Sequence, residues 1–349
     1  MDSKKKIFWS CFSLLLAVLT ILAVLLRSGD LSLGELINDL KEADPRWTAA
    51  AILSTVLYIF LEGVAVCTIL RGLGYKKHLG RGLLYSTSDI YFSAITPSAT
   101  GGQPASAYFL IKDGIPAGVV TVTLIVNTIM YTAGIIVLGI ISIVLDHNVF
   151  FGFRPLGKIL IILGFLALAG VICFWLVVLR KGHVAFNSIR KIIYKLHEKH
   201  LIRKVDRKLK KIDKSEVEYG ECVTMMAGKT KTIIAAFLLN LLQRTCQVLV
   251  PVFMYLALGG NGKTARSVFS AQCLVTLGYS CVPIPGAMGV ADFLMIDGFK
   301  SLMERQTAFH LEMLSRGISF YVCVIVSGLI TAAGYVLLKM KCRKDSEDT

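Results

Sequence analysis

Two charged side chains stand inside long apolar runs of this sequence. Glu62 is the only charged residue of 48–70, and Arg244 is the only one of 232–258. A charge at the middle of a membrane span costs on the order of 3 kcal/mol, so each needs a partner or a function. Because a guanidinium can hold a phosphate group through two hydrogen bonds, Arg244 is either a phosphate ligand or the ion-pair partner of Glu62. Glu62 is either that counter-ion or a group that couples a proton or a cation to transport.

Two segments rich in Pro and Gly supply further candidate ligands. The first is 97–104, with the sequence Pro-Ser-Ala-Thr-Gly-Gly-Gln-Pro, and the second is 283–289, with the sequence Pro-Ile-Pro-Gly-Ala-Met-Gly. Glycine lets the backbone approach a ligand closely and leaves N–H groups free for an anion, although turn geometry alone would also account for it. The predicted substrate-binding glycines are Gly101, Gly102, Gly286 and Gly289, and the predicted neutral donors are Ser98, Thr100 and Gln103.

Five other polar residues in or beside the apolar segments have a structural explanation. Asp89 and Asp292 are predicted to cap half-helix starts, since Asp favours helix N-termini, and Asp292 is also a candidate transport residue. Arg316 is predicted to extend toward lipid headgroups. Asn127 and Asn240 are predicted to form hydrogen bonds between helices.

The composition excludes several classes of protein. The chain has 349 residues, of which 55% are hydrophobic and 17% charged, and its formal net charge is +15. These values exclude a disordered chain, a disulfide-rich secreted module and a typical cytosolic enzyme. The nine cysteines form no CxxC pair, so we interpret them as small packing residues. We assign no catalytic residue, no metal ligand and no cofactor.

Six apolar runs are long enough to cross a bilayer, which takes about 20 helical residues. They are 7–26, 48–70, 117–145, 159–179, 232–258 and 317–338. The first run follows three lysines but exceeds a typical signal-peptide core and lacks a cleavage site, so we expect a retained span. The sequence therefore predicts an all-α integral membrane protein, with a single membrane domain over 1–349.

The basic residues predict the orientation of these spans. Residues 180–231 carry fifteen Lys and Arg against six Asp and Glu, whereas the loop 27–47 has more acids than bases. The positive-inside rule then places 71–82, 180–231 and both termini in the cytoplasm of a multi-pass plasma-membrane protein. Apolar residues recur at helical spacing within 181–230, which predicts amphipathic helices on the anionic inner leaflet. We expect no nucleic-acid binding, because stacking aromatics and known modules are missing from this segment.

This orientation requires two segments to enter and leave the membrane on the same side. Residues 83–111 and 264–307 are each interrupted by one of the Pro/Gly-rich segments, so we predict two re-entrant broken-helix hairpins. The units 48–145 and 232–338 would then be of opposite orientation. Broken helices that meet near the midplane are typical of inverted-repeat transporters, although a simple helix kink is the alternative for each break.

The same segments carry a family resemblance. Residues 95–104, with Tyr108 and 112–114, look like the first signature of the lysylphosphatidylglycerol synthetase transmembrane (flippase-like) family, and 283–292 resembles the second. The resemblance covers about 7–340 and implies a domain with re-entrant helices that moves lipids between leaflets. It adds Tyr108 and Pro285 to the candidate substrate-binding residues. Where the second signature commonly has a Gly pair and a Glu, this chain has Gly286-Ala287 and Asp292.

Three functions remain open at this point. The first is a lipid translocase for an anionic or aminoacylated phospholipid or a related lipid-linked substrate. The second is the membrane component of phosphatidylglycerol lysyltransferase, linked by resemblance to cationic-peptide and antibiotic resistance. The synthetases of the family carry a soluble aminoacyl-transferase domain that this sequence lacks, so we expect no lysyl transfer and name a separately encoded lipid-modifying enzyme as a candidate partner. The third is a secondary carrier of a small solute or ion.

Overall fold

The computed structural model describes residues 40–96, 99–198, 205–280, 282, 284–287 and 289–347, and the predicted span 7–26 lies outside them. All regular secondary structure in this part of the chain is helical. The helices are α1 (Pro45–Gly72), α2 (Leu79–Ile95), α3 (Gly102–Lys112), α4 (Ala117–Leu145), α5 (His147–Gly152), α6 (Pro155–Arg180), α7 (Gly182–Glu198), α8 (Val205–Ala227), α9 (Thr230–Ala257), α10 (Gly262–Tyr279), α11 (Val290–Phe299), α12 (Arg305–Arg316) and α13 (Cys323–Glu347).

Five stretches of helix are long and apolar enough to cross a membrane. They are α1, α4, α6, α9 and the stretch Arg305–Leu338, in which a π-helical segment (Gly317–Val322) joins α12 to α13. These correspond to the five predicted spans that fall within the described residues. The last one begins earlier than 317, because the polar helix α12 continues directly into the apolar run.

Helices α1 and α2 cross where two glycines meet, Gly63 and Gly82. A Cβ atom on Gly63 of α1 would lie 2.6 Å from the carbonyl carbon of Gly82 in α2, so this crossing leaves no room for a side chain. Helix α9 packs along α1 and also contacts α4. The amide of Asn240 in α9 donates to Oδ1 of Asn127 in α4 at 3.0 Å, which confirms the predicted hydrogen bond between helices.

Both Pro/Gly-rich segments interrupt helices, as predicted. Helices α2 and α3 pack against each other on either side of the first break, and α10 and α11 do so on either side of the second. Each break contains an alanine with a left-handed backbone, Ala99 with a φ of 53° and Ala287 with a φ of 49°. This conformation is uncommon for a residue with a Cβ and costs on the order of 1 kcal/mol or more. The surrounding packing therefore has to hold both turns in place.

The basic segment forms the two amphipathic helices α7 and α8. They are held together by an edge-to-face contact between Phe186 and Tyr219 and by the ion pair of Arg190 with Asp213 at 2.7 Å. The Tyr219 hydroxyl also donates to the backbone carbonyl of Val178 at 2.9 Å, and burial raises the pKa of Tyr219. Part of the apolar face of α8 thus packs on the bundle.

Candidate functional site

A cavity of about 990 Å³ lies between the helices, and both breaks contribute to its wall. From the first break come Ala99, Thr100 and Gln103, and from the second come Ile284, Gly286 and Ala287. Helices α1–α4, α6 and α9–α13 and the π-helical segment also contribute to the wall. Polar side chains in the wall include Tyr58, Glu62, Asp89, Thr128, Tyr131, Arg244, Gln247, Gln272 and Arg316. The two Pro/Gly-rich segments, far apart in the sequence, are therefore brought to one site.

Arg244 is the cation of α9 that lines this cavity. Its guanidinium lies over the ring of Tyr131 at 4.7 Å and over that of Tyr58 at 5.6 Å. Nη1 donates to Oε1 of Gln247 at 2.9 Å, and Nε is buried without a hydrogen-bond partner among the described residues. Within the described part of the chain, no carboxylate oxygen lies within 4.0 Å of Arg244. The side chain is therefore held by aromatic rings and an amide, with donor capacity left for a ligand.

Glu62 does not form the ion pair with Arg244 that was one of the two alternatives, because no ion pair within 4.0 Å joins them in the described chain. Glu62, in α1, and Asp89, in α2, both line the cavity. Nε2 of Gln243 donates to Oε2 of Glu62 at 3.1 Å, and Oγ of Ser93 donates to Oδ1 of Asp89 at 3.1 Å. The prediction that Asp89 caps a helix is wrong, because Asp89 lies well inside α2.

The first break holds Gly102 against Asp89. A Cβ on Gly102 would lie 2.0 Å from Oδ1 of Asp89, so the absence of a side chain at Gly102 makes room for the carboxyl group. The N–H of Gly101 donates to Oγ1 of Thr96 at 2.9 Å. Gln103 donates through Nε2 to Oγ1 of Thr128 in α4. Ser98 lies outside the described residues.

The second break is clamped by an arginine. Oδ2 of Asp292 accepts the N–H of Gly289 at 2.8 Å, which confirms that Asp292 caps the start of α11. Its other oxygen pairs with Nε of Arg316 at 3.1 Å, and the guanidinium also donates to the carbonyl of Gly286 at 3.3 Å. Arg316 is 7% exposed. The prediction that it extends to headgroups is therefore wrong, because its charge is neutralised inside the protein.

Two candidate residues have other surroundings. Tyr108 is 44% exposed, and the ammonium group of Lys112 lies 5.9 Å from the centre of its ring, on the outer surface of α3. Pro285 begins the 3₁₀ turn Pro285–Ala287, whose next residue, Gly286, has a φ of 58°. The structure thus groups Glu62, Arg244 and both breaks around one cavity and places Tyr108 outside it.

Comparison with known proteins agrees with this architecture. The family described as the lysylphosphatidylglycerol synthase TM region matches residues 12–327. The chain belongs to this family. A UPF0104 membrane protein of Archaeoglobus fulgidus is 22% identical over 312 residues, which cover 88% of this chain and 91% of that relative. No solved structure matches the chain. The protein is thus an embedded membrane protein of the family, and the predicted family resemblance is confirmed.

Sequence reasoning missed several polar residues at or beside the cavity of this family member. Tyr58 precedes Glu62 by one helical turn and Gln247 follows Arg244 by three residues, so helical spacing places both beside the two charges. That spacing was an available signal. Gln272, 5% exposed, lines the cavity with a buried Oε1 that has no hydrogen-bond partner among the described residues. No three His, Cys, Asp or Glu side chains of the described chain are grouped to hold a metal ion.

Proposed function

We propose that this protein is a lipid translocase that moves an anionic phospholipid or a related lipid-linked substrate between the leaflets of the plasma membrane. The observation that carries the proposal is Arg244 in the wall of a cavity of about 990 Å³. Sites for small molecules span roughly 300–1,000 Å³, so this volume suits a lipid headgroup. The acyl chains would remain in the bilayer.

The chemistry of the cavity favours an anion with a polar headgroup. The buried Nε of Arg244 has no hydrogen-bond partner among the described residues, and its guanidinium is held 4.7 Å from the centre of the Tyr131 ring. A guanidinium suits a phosphate, which it can contact through two parallel hydrogen bonds. Thr100 and Gln272 line the same space and supply neutral polar groups for the rest of the headgroup.

The two breaks support a transport role. In our proposal α2–α3 and α10–α11 are re-entrant hairpins of an inverted repeat, and they enter the membrane from opposite sides. Both termini and the helices α7 and α8 then lie in the cytoplasm, where the basic surface faces the anionic inner leaflet. Irregular backbone is tolerated at membrane depth where it lines a cavity, and both breaks line this one.

Leaflet exchange in vesicles tests the proposal. The purified chain is reconstituted into vesicles of phosphatidylcholine and phosphatidylglycerol that carry a trace of fluorescent phosphatidylglycerol. Dithionite destroys only the label that reaches the outer leaflet. We expect wild-type protein to expose inner-leaflet label faster than protein-free vesicles do, and to move fluorescent phosphatidylcholine more slowly.

The variant Arg244→Gln should slow this exchange about tenfold or more, because a hydrogen bond to a charged group contributes about 1.5–3 kcal/mol. The matched control is Arg180→Gln, which changes an exposed arginine at the end of α6 and should exchange lipid like wild type. A wild-type rate equal to that of protein-free vesicles would refute the proposal. Uptake of a soluble solute in its place would favour a carrier, and lysyl-lipid formed from lysyl-tRNA would favour the transferase.

A further inference from the structure

A second pocket lies at the end of the bundle where α1 ends and α2 begins. Its volume is about 480 Å³, and the residues that line it are all basic: Arg71, Lys76, Lys77 and His78. Among the residues that the structure describes, no carboxylate oxygen lies within 4.0 Å of a side-chain nitrogen of these four. The pocket therefore concentrates positive charge in a concave surface, which attracts an anion.

Asp113, at the end of α3, touches this region without cancelling its charge. Its backbone carbonyl accepts a hydrogen bond from Nζ of Lys77 at 2.7 Å, which fixes the ammonium group and leaves its charge unpaired. The carboxyl group of Asp113 accepts the hydroxyl of Tyr85 at 2.5 Å and pairs with Nη1 of Arg81 at 3.4 Å. The negative charge of Asp113 is thus directed to Arg81, which does not line the pocket.

The first turn of α2 adds backbone donors beside these side chains. His78 is the N-cap residue of α2, and its side chain makes no capping hydrogen bond to the helix. The first N–H groups of an α-helix have no partner within the helix, and the helix dipole gives this end a partial positive charge. A Cβ on Gly80 would meet nothing within 4 Å, so the backbone here is open to an approaching group. An anion in the pocket would therefore have side-chain and backbone donors within reach.

The pocket lies at a level where membrane spans end. Helix α1 ends at Gly72, and a Cβ on this residue would lie 2.6 Å from Cγ2 of Thr232 in the first turn of α9. Because α1 and α9 are both long and apolar enough to span a membrane, the end of one and the start of the other mark the membrane surface. Leu79, which follows His78, is 48% exposed. Basic groups beside an exposed apolar side chain at this depth suit the headgroup and the first methylene groups of a lipid.

We propose that the pocket of Arg71, Lys76, Lys77 and His78 binds the phosphate group of an anionic phospholipid in the leaflet that this end of the bundle meets. The site shares no lining residue with the cavity at Arg244, so it does not depend on lipid transport. A bound headgroup would connect the end of α1 with the start of α2. Lys77 would connect it to the end of α3, and so to both helices that flank the first break.

Footprinting of lysine side chains tests the site at the level of single residues. Purified full-length protein in nonionic detergent is treated briefly with an amine-acylating reagent, and peptide mass spectrometry measures the modification of each lysine. We expect short-chain phosphatidylglycerol to slow the modification of Lys76 and to leave that of Lys263, an exposed lysine in the first turn of α10, unchanged. The variant Arg71→Gln should weaken the apparent affinity about fivefold, the contribution of one basic residue to contact with anionic lipid. The matched control Arg46→Gln changes an exposed arginine at the opposite end of α1 and should bind like wild type.

Other additives and one more variant identify the ligand and separate the two sites. Short-chain phosphatidylcholine, whose headgroup has no net charge, should protect Lys76 far less, and equal protection would overturn the assignment to an anionic lipid. Inorganic phosphate that protects as well as the lipid at the same concentration would overturn the lipid as the source of the phosphate group. The variant Arg244→Gln should keep the protection of Lys76, and its loss would overturn a separate site. Unchanged modification of Lys76 in saturating phosphatidylglycerol overturns the proposal and leaves leaflet exchange unaffected.

Discussion

Replacing Gly102 by alanine should displace the Asp89 carboxyl group from its place in the cavity wall without changing any charge. A Cβ on Gly102 would lie 2.0 Å from Oδ1 of Asp89, 2.0 Å from Oγ of Ser93 and 2.6 Å from the Asp89 carbonyl oxygen. The side chains can rotate away, but the carbonyl belongs to α2 and cannot. Helix α3 must then retreat from α2 by about 0.8 Å to reach the 3.4 Å at which ordinary contact begins.

The magnitude follows from these distances. Overpacking of this kind costs about 1–3 kcal/mol of stability, and the helix preference of alanine over glycine recovers at most about 1 kcal/mol. The displaced Asp89 carboxyl also loses the hydrogen bond from Oγ of Ser93. Since a hydrogen bond to a charged group contributes about 1.5–3 kcal/mol, we expect lipid exchange to slow about tenfold or more.

Thermal unfolding in detergent and the dithionite assay measure the two effects of Gly102→Ala. The matched control is Gly80→Ala in the first turn of α2, where a Cβ would meet nothing within 4 Å and both properties should stay near wild type. Wild-type stability together with a wild-type exchange rate in Gly102→Ala would refute the packing argument. Reduced stability with normal exchange would show that lipid exchange tolerates a displaced Asp89 carboxyl group.

Two further predictions concern the fold. Changing Asn127 and Asn240 to alanine, singly and together, should give a coupling free energy of about 0.6–1.7 kcal/mol in thermal unfolding, because the pair bonds at 3.0 Å between buried helices; additive effects would argue against the pair. Cysteines introduced as Gly262→Cys and Lys214→Cys, both at exposed sites, should react with an impermeant thiol reagent from opposite faces of the membrane. Labelling from the same face would contradict the opposite orientation of the two hairpins.

The apolar runs predicted most helices well, because a bilayer demands long hydrophobic stretches. The run 117–145 coincides with α4, and 48–70 lies within α1. Hydropathy could not show that α12 continues through a π-helical segment into the last span, because the polar residues of α12 carry no signal for the membrane. The breaks at Ala99 and Ala287 were predictable from the Pro and Gly residues around them.

The two central charges of the candidate site were predictable, but their pairings and several of their neighbours were not. Glu62 and Arg244 are conspicuous because each is alone in an apolar run. Gln243 of α9 donates to Glu62, and this pairing depends on how α1 packs against α9. A linear sequence does not state this packing. For the same reason Arg316, whose partner Asp292 lies in the first turn of α11, gave no sign of being buried.

The helix contacts at glycines also limit which substitutions this protein can accept. Much of α6 faces outward, and side chains such as Leu163 and Leu166 there need only be hydrophobic. At Gly164 of the same helix, a Cβ would lie 2.1 Å from the Leu277 carbonyl oxygen, so not even a methyl group fits. Exposed positions of this kind can therefore accept other hydrophobic residues. A few glycine positions, where two helices touch, cannot accept any larger residue.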